Sequence, residues 1–228
     1  MRACFLIPST SPTEAYFFSG ARYARISFTP SSSSDTITFG PTKFAPNWNS
    51  LVKAGFESID AVLPVPGTAN GTTIESYFFS GTRYVRIKVI PSSNDDVIVF
   101  GPKKITDEWK CLAAAKFDCV DAAMPVPGLD QEAYFFRGEN YVRVNVARDE
   151  IVFGPAKIAD HWPSLVKAGF DVVDAVLPIP NKGFESQAYF FRGDRYARIK
   201  VVPSEKTDEI TFGPALIVDE WKSLAWDW

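Results

Sequence analysis

One histidine, three cysteines and two methionines in 228 residues leave little material for metal or nucleophile chemistry. With His161 alone, a histidine-rich metal centre is excluded, and a Ser–His triad would have to use that residue. Cys4, Cys111 and Cys119 cannot all pair within one chain and show no CxxC spacing, so free buried thiols in a reducing compartment are expected. No apolar run approaches the roughly 20 residues of a membrane helix. The first run, Ala3 to Ile7, is also shorter than a signal-peptide core. Charge of one sign is missing too: 24 Lys and Arg face 27 Asp and Glu, a net of −3. That balance lacks the basic footprint of a nucleic-acid binder, so neither nucleic acid nor membrane is an expected partner. GxSxG, HExxH, Walker A and GxGxxG motifs are absent, and no enzymatic activity is expected. The sequon Asn70-Gly71-Thr72 matters only if the chain is exported.

What is present is a repeat. Tyr-Phe-Phe begins at Tyr16, Tyr77, Tyr134 and Tyr189, at intervals of 61, 57 and 55 residues. Phe-Gly-Pro recurs at Phe39, Phe100, Phe153 and Phe212. Trp48, Trp109, Trp162 and Trp221 follow, each seven residues after the Pro. Four copies fill the chain as one domain of residues 1–228, with repeats near 1–58, 59–119, 120–172 and 173–228.

Each copy has one grammar. Tyr16-Phe17-Phe18 is a β-type run, Ser19-Gly20-Ala21-Arg22 a turn, and Tyr23 to Phe28 a second strand. After a Pro/Ser-rich loop, Pro30 to Asp35 in copy one, Thr36 to Phe39 makes a third strand that Gly40-Pro41 should stop. Trp48, Leu51, Val52 and Phe56 at i, i+3, i+4 and i+8 predict one face of a helix. Asp107, Asp160 and Asp219, two residues before their Trp, are placed to cap it, and Pro163 suits its first turn. Ile59 to Leu63 is a further strand, ended by Pro64 and Pro66. The fold class is therefore mainly β: about four antiparallel strands and a short outer helix per unit, packed radially as a four-bladed β-propeller. Copy four stops at Trp228 without an Asp-Ala-Val strand, while Arg2 to Pro8 aligns with Asp60 to Pro66. The first residues should thus supply the inner strand of the first unit and close a ring.

The Asp-Ala strand, the Tyr-Phe-Phe-x-Gly-x-x-Tyr-x-Arg hairpin, the Gly-Pro and the Trp helix together resemble the hemopexin-type repeat. Its standalone form resembles the plant seed albumin-2 family. The resemblance spans essentially the whole chain and implies a narrow central channel with the Asp-Ala strands innermost. Many hemopexin-type domains join first and last blades by a disulfide; here Cys4 has no cysteine partner near residue 228, so closure must rest on packing.

Carbonyl oxygens are hard ligands suited to calcium, sodium or magnesium. The resemblance implies structural calcium and/or sodium held by channel carbonyls, which extends to those of Arg2, Asp60, Asp121 and Asp174. A second layer follows at Cys4, Val62, Ala123 and Val176. The resemblance also implies polyamine binding, for which the carboxylates of Asp60, Asp121 and Asp174 would make a negative channel mouth, and haem binding, for which His161 is the one imidazole. Hemopexin-type transport proteins grip haem iron with two histidines, so a bis-histidine site in one chain is excluded here. Arg25, Arg86, Arg143 and Arg198 recur in all copies, as one structural contact made four times or as an anion-binding ring. The expected function is a non-enzymatic, seed-albumin-like store and small-ligand binder, monomeric or homodimeric, in the cytosol of a plant seed. The alternative is a lectin-like or protein-recognition propeller that binds a glycan or a protein surface.

Overall fold

A computed structural model describes residues 2–30, 32, 34–179, 186–203 and 207–227, with the backbone alone at Asp227. Ser31 and Ser33 of the first loop and the terminal Trp228 lie outside these. The first blade is β1 (Ala3–Ile7), β2 (Thr13–Ser19), β3 (Arg22–Phe28) and β4 (Asp35–Lys43), followed by helix α1 (Asn49–Lys53). The second is β5 (Ala61–Pro64), β6 (Ile74–Ser80), β7 (Arg83–Val89) and β8 (Val97–Lys104), with α2 (Ile105–Glu108) and α3 (Lys110–Ala114). The third is β9 (Ala122–Pro125), β10 (Glu132–Arg137), β11 (Asn140–Asn145) and β12 (Glu150–Lys157), with α4 (Ile158–His161) and α5 (Pro163–Ala168). The fourth is β13 (Ala175–Pro178), β14 (Gln187–Arg192), β15 (Arg195–Lys200) and β16 (Glu209–Leu216), with α6 (Ile217–Glu220) and a 3-10 turn at Lys222–Asp227. Each blade is a four-stranded antiparallel sheet in chain order, and the four form a propeller.

Packing follows from strand alternation. Successive side chains leave a strand on opposite faces, so each Phe-Phe doublet sends one ring to each neighbouring blade. Phe18 packs with Phe78 of blade two, while Phe17 packs with Phe191 of blade four. All eight rings of the four doublets are fully buried. The hydrophobic interior is consequently four clusters, one in each seam between blades. The seam between blades four and one joins Cys4, Phe17 and Phe28 to Leu177, Tyr189 and Trp221. The inner strands touch in a closed cycle, β1 to β5, β5 to β9, β9 to β13 and β13 to β1. The N-terminal strand therefore does complete the ring.

Three local expectations are corrected. Gly40-Pro41 does not stop the third strand: β4 runs on to Lys43. Gly40 adopts φ 81° in a bulge opposite Tyr23 and Arg25, where a Cβ would sit 2.8 Å from the Tyr23 carbonyl oxygen, so glycine alone fits. The Trp does not lie within one helix. Trp109 and Trp162 each end one short helix and begin the next, and Trp48 directly precedes α1. That break rotates Val52 outward, to 48% exposure, while Trp48, Leu51 and Phe56 stay buried. Asp107, Asp160 and Asp219 lie inside α2, α4 and α6 and cap nothing. Pro163 does open α5, as its fixed φ allows.

The caps come from the next blade. Trp carries no side-chain acceptor, so the free N–H groups of the turn after it need an oxygen from elsewhere. Asp96 Oδ2 accepts from Ser50 N at 2.7 Å, Asp149 Oδ2 from Lys110 N at 2.8 Å, and Asp208 Oδ2 from Ser164 N at 2.9 Å. Asp35 Oδ2 accepts from Ser223 N at 2.6 Å, which ties blade one to blade four. Each carboxylate stands just before or at the start of an outer strand. The ring is thus latched at every seam by an aspartate that caps the neighbouring blade's helical turn.

Candidate functional site

Two places in this ring collect chemistry: its axis and the seam between blades three and four. On the axis, Val65 N donates to Glu75 O at 2.8 Å, which fixes the hydrogen-bonding phase of β5 against β6. Alternation then leaves the carbonyls of Val62 and Pro64 off that ladder, on the side of the other inner strands. Val126 N to Glu132 O and Ile179 N to Gln187 O set the same phase in blades three and four. Pro64, Pro125 and Pro178 occupy positions where no ladder donor is needed. Cys4, Val62, Ala123 and Val176 line one apolar cavity of about 410 Å³ together with Phe5 and Leu6. The Cys4 thiol donates to the Val176 carbonyl of the adjacent inner strand at 3.5 Å, and burial pushes its pKa far up.

The residues expected to form the first carbonyl layer have a task within the blades. Asp60, Asp121 and Asp174 begin the inner strands, and their Oδ2 atoms accept from the hairpin N–H groups of Gly81, Gly138 and Gly193 at 2.7, 2.6 and 2.6 Å. Each carboxylate thereby pins the start of an inner strand to its blade's hairpin. All three stay half-exposed, so their charge still faces that end of the ring. Asp174 also lies 3.6 Å from Arg192. Arg2, at the fourth equivalent position, is exposed. Among the described residues, no three His, Cys, Asp or Glu side chains are placed to hold a metal. The donor set on the axis is carbonyl oxygen, which fits a hard cation such as calcium or sodium and not a soft one.

The recurrent arginines form no ring. Each lies on the third strand of its sheet, turned to a residue at the start of the second. Arg86 pairs with Glu75 at 2.6 Å, Arg143 pairs with Glu132, and Arg25 stands 3.5 Å from Glu14. In blade four Gln187 replaces the glutamate, and Thr211 links it to Arg198.

His161, the one imidazole, lies in the seam between blades three and four. It ends α4, half-buried, with its ring 4.9 Å edge-on to Phe153 and 6.1 Å from Tyr141. With Tyr134, Trp162 and Arg143, and with Val202 and Asp208 of blade four, it lines a groove of about 350 Å³. Burial pushes the Tyr141 hydroxyl up to about 12, raises that of Tyr134, and raises the Asp208 carboxyl. Both hydroxyls are therefore neutral at physiological pH. The groove escaped the sequence reading because its walls come from two copies. The signal that marks it was present, an Asp ahead of every outer strand: Asp35, Asp96, Asp149 and Asp208.

No family model matches the chain. It is 32% identical over 221 residues to Albumin-2 of Lathyrus sativus, across 95% of this chain and 92% of that protein. Among solved structures, a plant albumin from Cicer arietinum showing hemagglutination matches with a TM-score of 0.86 at 28% identity, covering 98% of this chain and 96% of that one. A plant lectin from Cicer arietinum with two metal binding sites matches with a TM-score of 0.85 at 29% identity and the same coverage, 98% and 96%.

Proposed function

This chain belongs to the albumin-2 family, and from that premise we propose that it is a non-enzymatic seed albumin that stores nitrogen and binds small ligands at the ring axis. A hard cation among the inner carbonyls stabilises the ring, and a polyamine is held at the mouth that carries three carboxylates. The observation that carries the reading is the axis itself: off-ladder carbonyls line it, and Asp60, Asp121 and Asp174 gather negative charge at one end. Like charges gathered this way repel one another, and a bound cation relieves that cost. Three free thiols suit a reducing cytosol.

Calorimetry with spermine tests the polyamine half. Wild type should bind with heat that fades as salt rises, since exposed charges are screened. Asp121→Asn should weaken binding several-fold while leaving the melt nearly unchanged, because an asparagine oxygen can still accept from Gly138 N. Equal affinities for the two proteins would remove the carboxylates from the site. Haem is the weaker ligand on this chain: His161 is wedged against Phe153, and a groove of about 350 Å³ is narrow for a macrocycle.

A second reading has its own support. A hemagglutinating relative superposes over nearly the whole chain, and the aromatic groove beside His161 offers a surface for sugar. In this reading the protein agglutinates red cells, and free sugar competes.

A further inference from the structure

We propose that the groove between blades three and four binds a neutral pyranose sugar, an inference that rests on the glycan reading above. Its floor and walls are aromatic: Tyr134, Tyr141, Phe153 and Trp162, with His161 at the edge. Flat, electron-rich faces suit the C–H side of a sugar ring, which is apolar on one face and polar around its rim. Phe153 is 41% exposed and presents such a face to solvent.

The polar groups argue for a neutral guest. Arg143 is already paired with Glu132, and Asp208 already accepts from Ser164 N at the start of α5. Arg143 therefore has no charge left for an anion, which the Asp208 carboxylate would also repel, while a cation would meet the Arg143 guanidinium. Hydrogen-bonding capacity remains nonetheless. Trp162 Nε1 is turned to the Tyr141 hydroxyl and Asp208 is held by Ser164, so the polar edge offered to a guest is that of the tyrosine hydroxyls. The two tyrosine hydroxyls are neutral and can both donate and accept. A polyol with adjacent hydroxyls matches two such groups side by side. The volume is at the small end of ligand pockets, which start at roughly 300 Å³ and so suit one sugar unit rather than a chain.

The equivalent place between blades one and two shows what this seam has gained. There Arg25 bonds Ser92 across the gap, Asn47 replaces His161, and the cavity shrinks to about 170 Å³.

Saturation-transfer NMR on the full chain tests the assignment, with galactose, mannose, glucose, N-acetylglucosamine and the anionic N-acetylneuraminic acid as probes. Two variants are compared: Phe153→Ala in the groove, and Phe212→Ala at the same repeat position in blade four, outside it. At least one neutral sugar should bind wild type and the Phe212 variant alike, and the anionic sugar should not. Phe153→Ala should weaken that binding roughly tenfold, about 1.4 kcal/mol, with a melt matching that of Phe212→Ala. If wild type binds sugar but Phe153→Ala binds it equally, the glycan reading survives and the groove is wrong. Equal losses in both variants would likewise overturn the groove. If wild type neither binds a neutral sugar nor agglutinates cells, the glycan reading and the groove fall together.

Discussion

A chain lacking residues 1–8 is expected to lose its cooperative thermal transition rather than melt a few degrees lower. The deletion removes β1, whose Ala3, Cys4, Phe5 and Ile7 are all buried. Those side chains serve two seams at once, since Phe5 and Ile7 pack against blade two and Cys4 against blade four. Burying Phe5 and Ile7 contributes roughly 3–6 kcal/mol at the usual value per large apolar side chain. That is a large part of the roughly 5–15 kcal/mol that holds an ordinary domain folded. The loss also strips β2 of its five-residue pairing and opens a sheet edge inside the ring. Calorimetry or circular dichroism during a thermal ramp reads the result. A truncated chain with the melt of the full protein would mean that the ring does not depend on its first strand.

Arg143→Met should destabilise the protein by about 3 kcal/mol, the low end for breaking a buried ion pair by removing one partner. Arg143 is 7% exposed, and the Glu132 side chain it contacts is 18% exposed. The substitution keeps the aliphatic bulk but leaves the glutamate charge with no cation in a site that excludes most water. Arg25→Met should cost distinctly less, because that guanidinium stands 3.5 Å from Glu14 and its side chain is 17% exposed against 9% for Arg143. Urea titration of the two variants measures the difference. Should both melt like wild type while inorganic sulfate binding is lost, the arginines would be an anion site and the structural account of them would fail.

The contrast between those two arginines shows where sequence reading reaches its limit. Recurrence at Arg25, Arg86, Arg143 and Arg198 marks a repeated contact, but nothing in the spacing says how buried each copy is. Blade count, strand order and ring closure were legible because Tyr-Phe-Phe and Phe-Gly-Pro recur with the full grammar of a sheet, and because Arg2 to Pro8 aligns with Asp60 to Pro66. The break at each Trp was not, since Trp48, Leu51, Val52 and Phe56 satisfy a helical period even though α1 begins after the Trp. Capping was misplaced for a related reason. Local rules look for an acceptor on the same segment, whereas Asp35 reaches Ser223 across 188 residues of chain. Asp60, Asp121 and Asp174 were read as charges at a channel mouth; their hydrogen bonds to hairpin glycines depend on a strand and a turn meeting in space. The groove beside His161 is the extreme case, built from β10, β11, β12 and α4 with Val202 and Asp208 of blade four, no one of which marks a site alone.

The central claim is that backbone oxygens at the ring axis hold a hard cation. Metal analysis of the purified protein before and after exhaustive chelation, with a thermal melt at each stage, tests it most directly. The account predicts calcium or sodium retained before chelation, a melt that falls when it is removed, and recovery when calcium alone is returned. Refinement of calcium-loaded crystals should then place the ion within roughly 2.3–2.6 Å of carbonyl oxygens, with Arg2 still turned to solvent. No metal before chelation together with an unchanged melt after it would contradict the claim, and so would an ion held by the carboxylates of Asp60, Asp121 and Asp174 themselves.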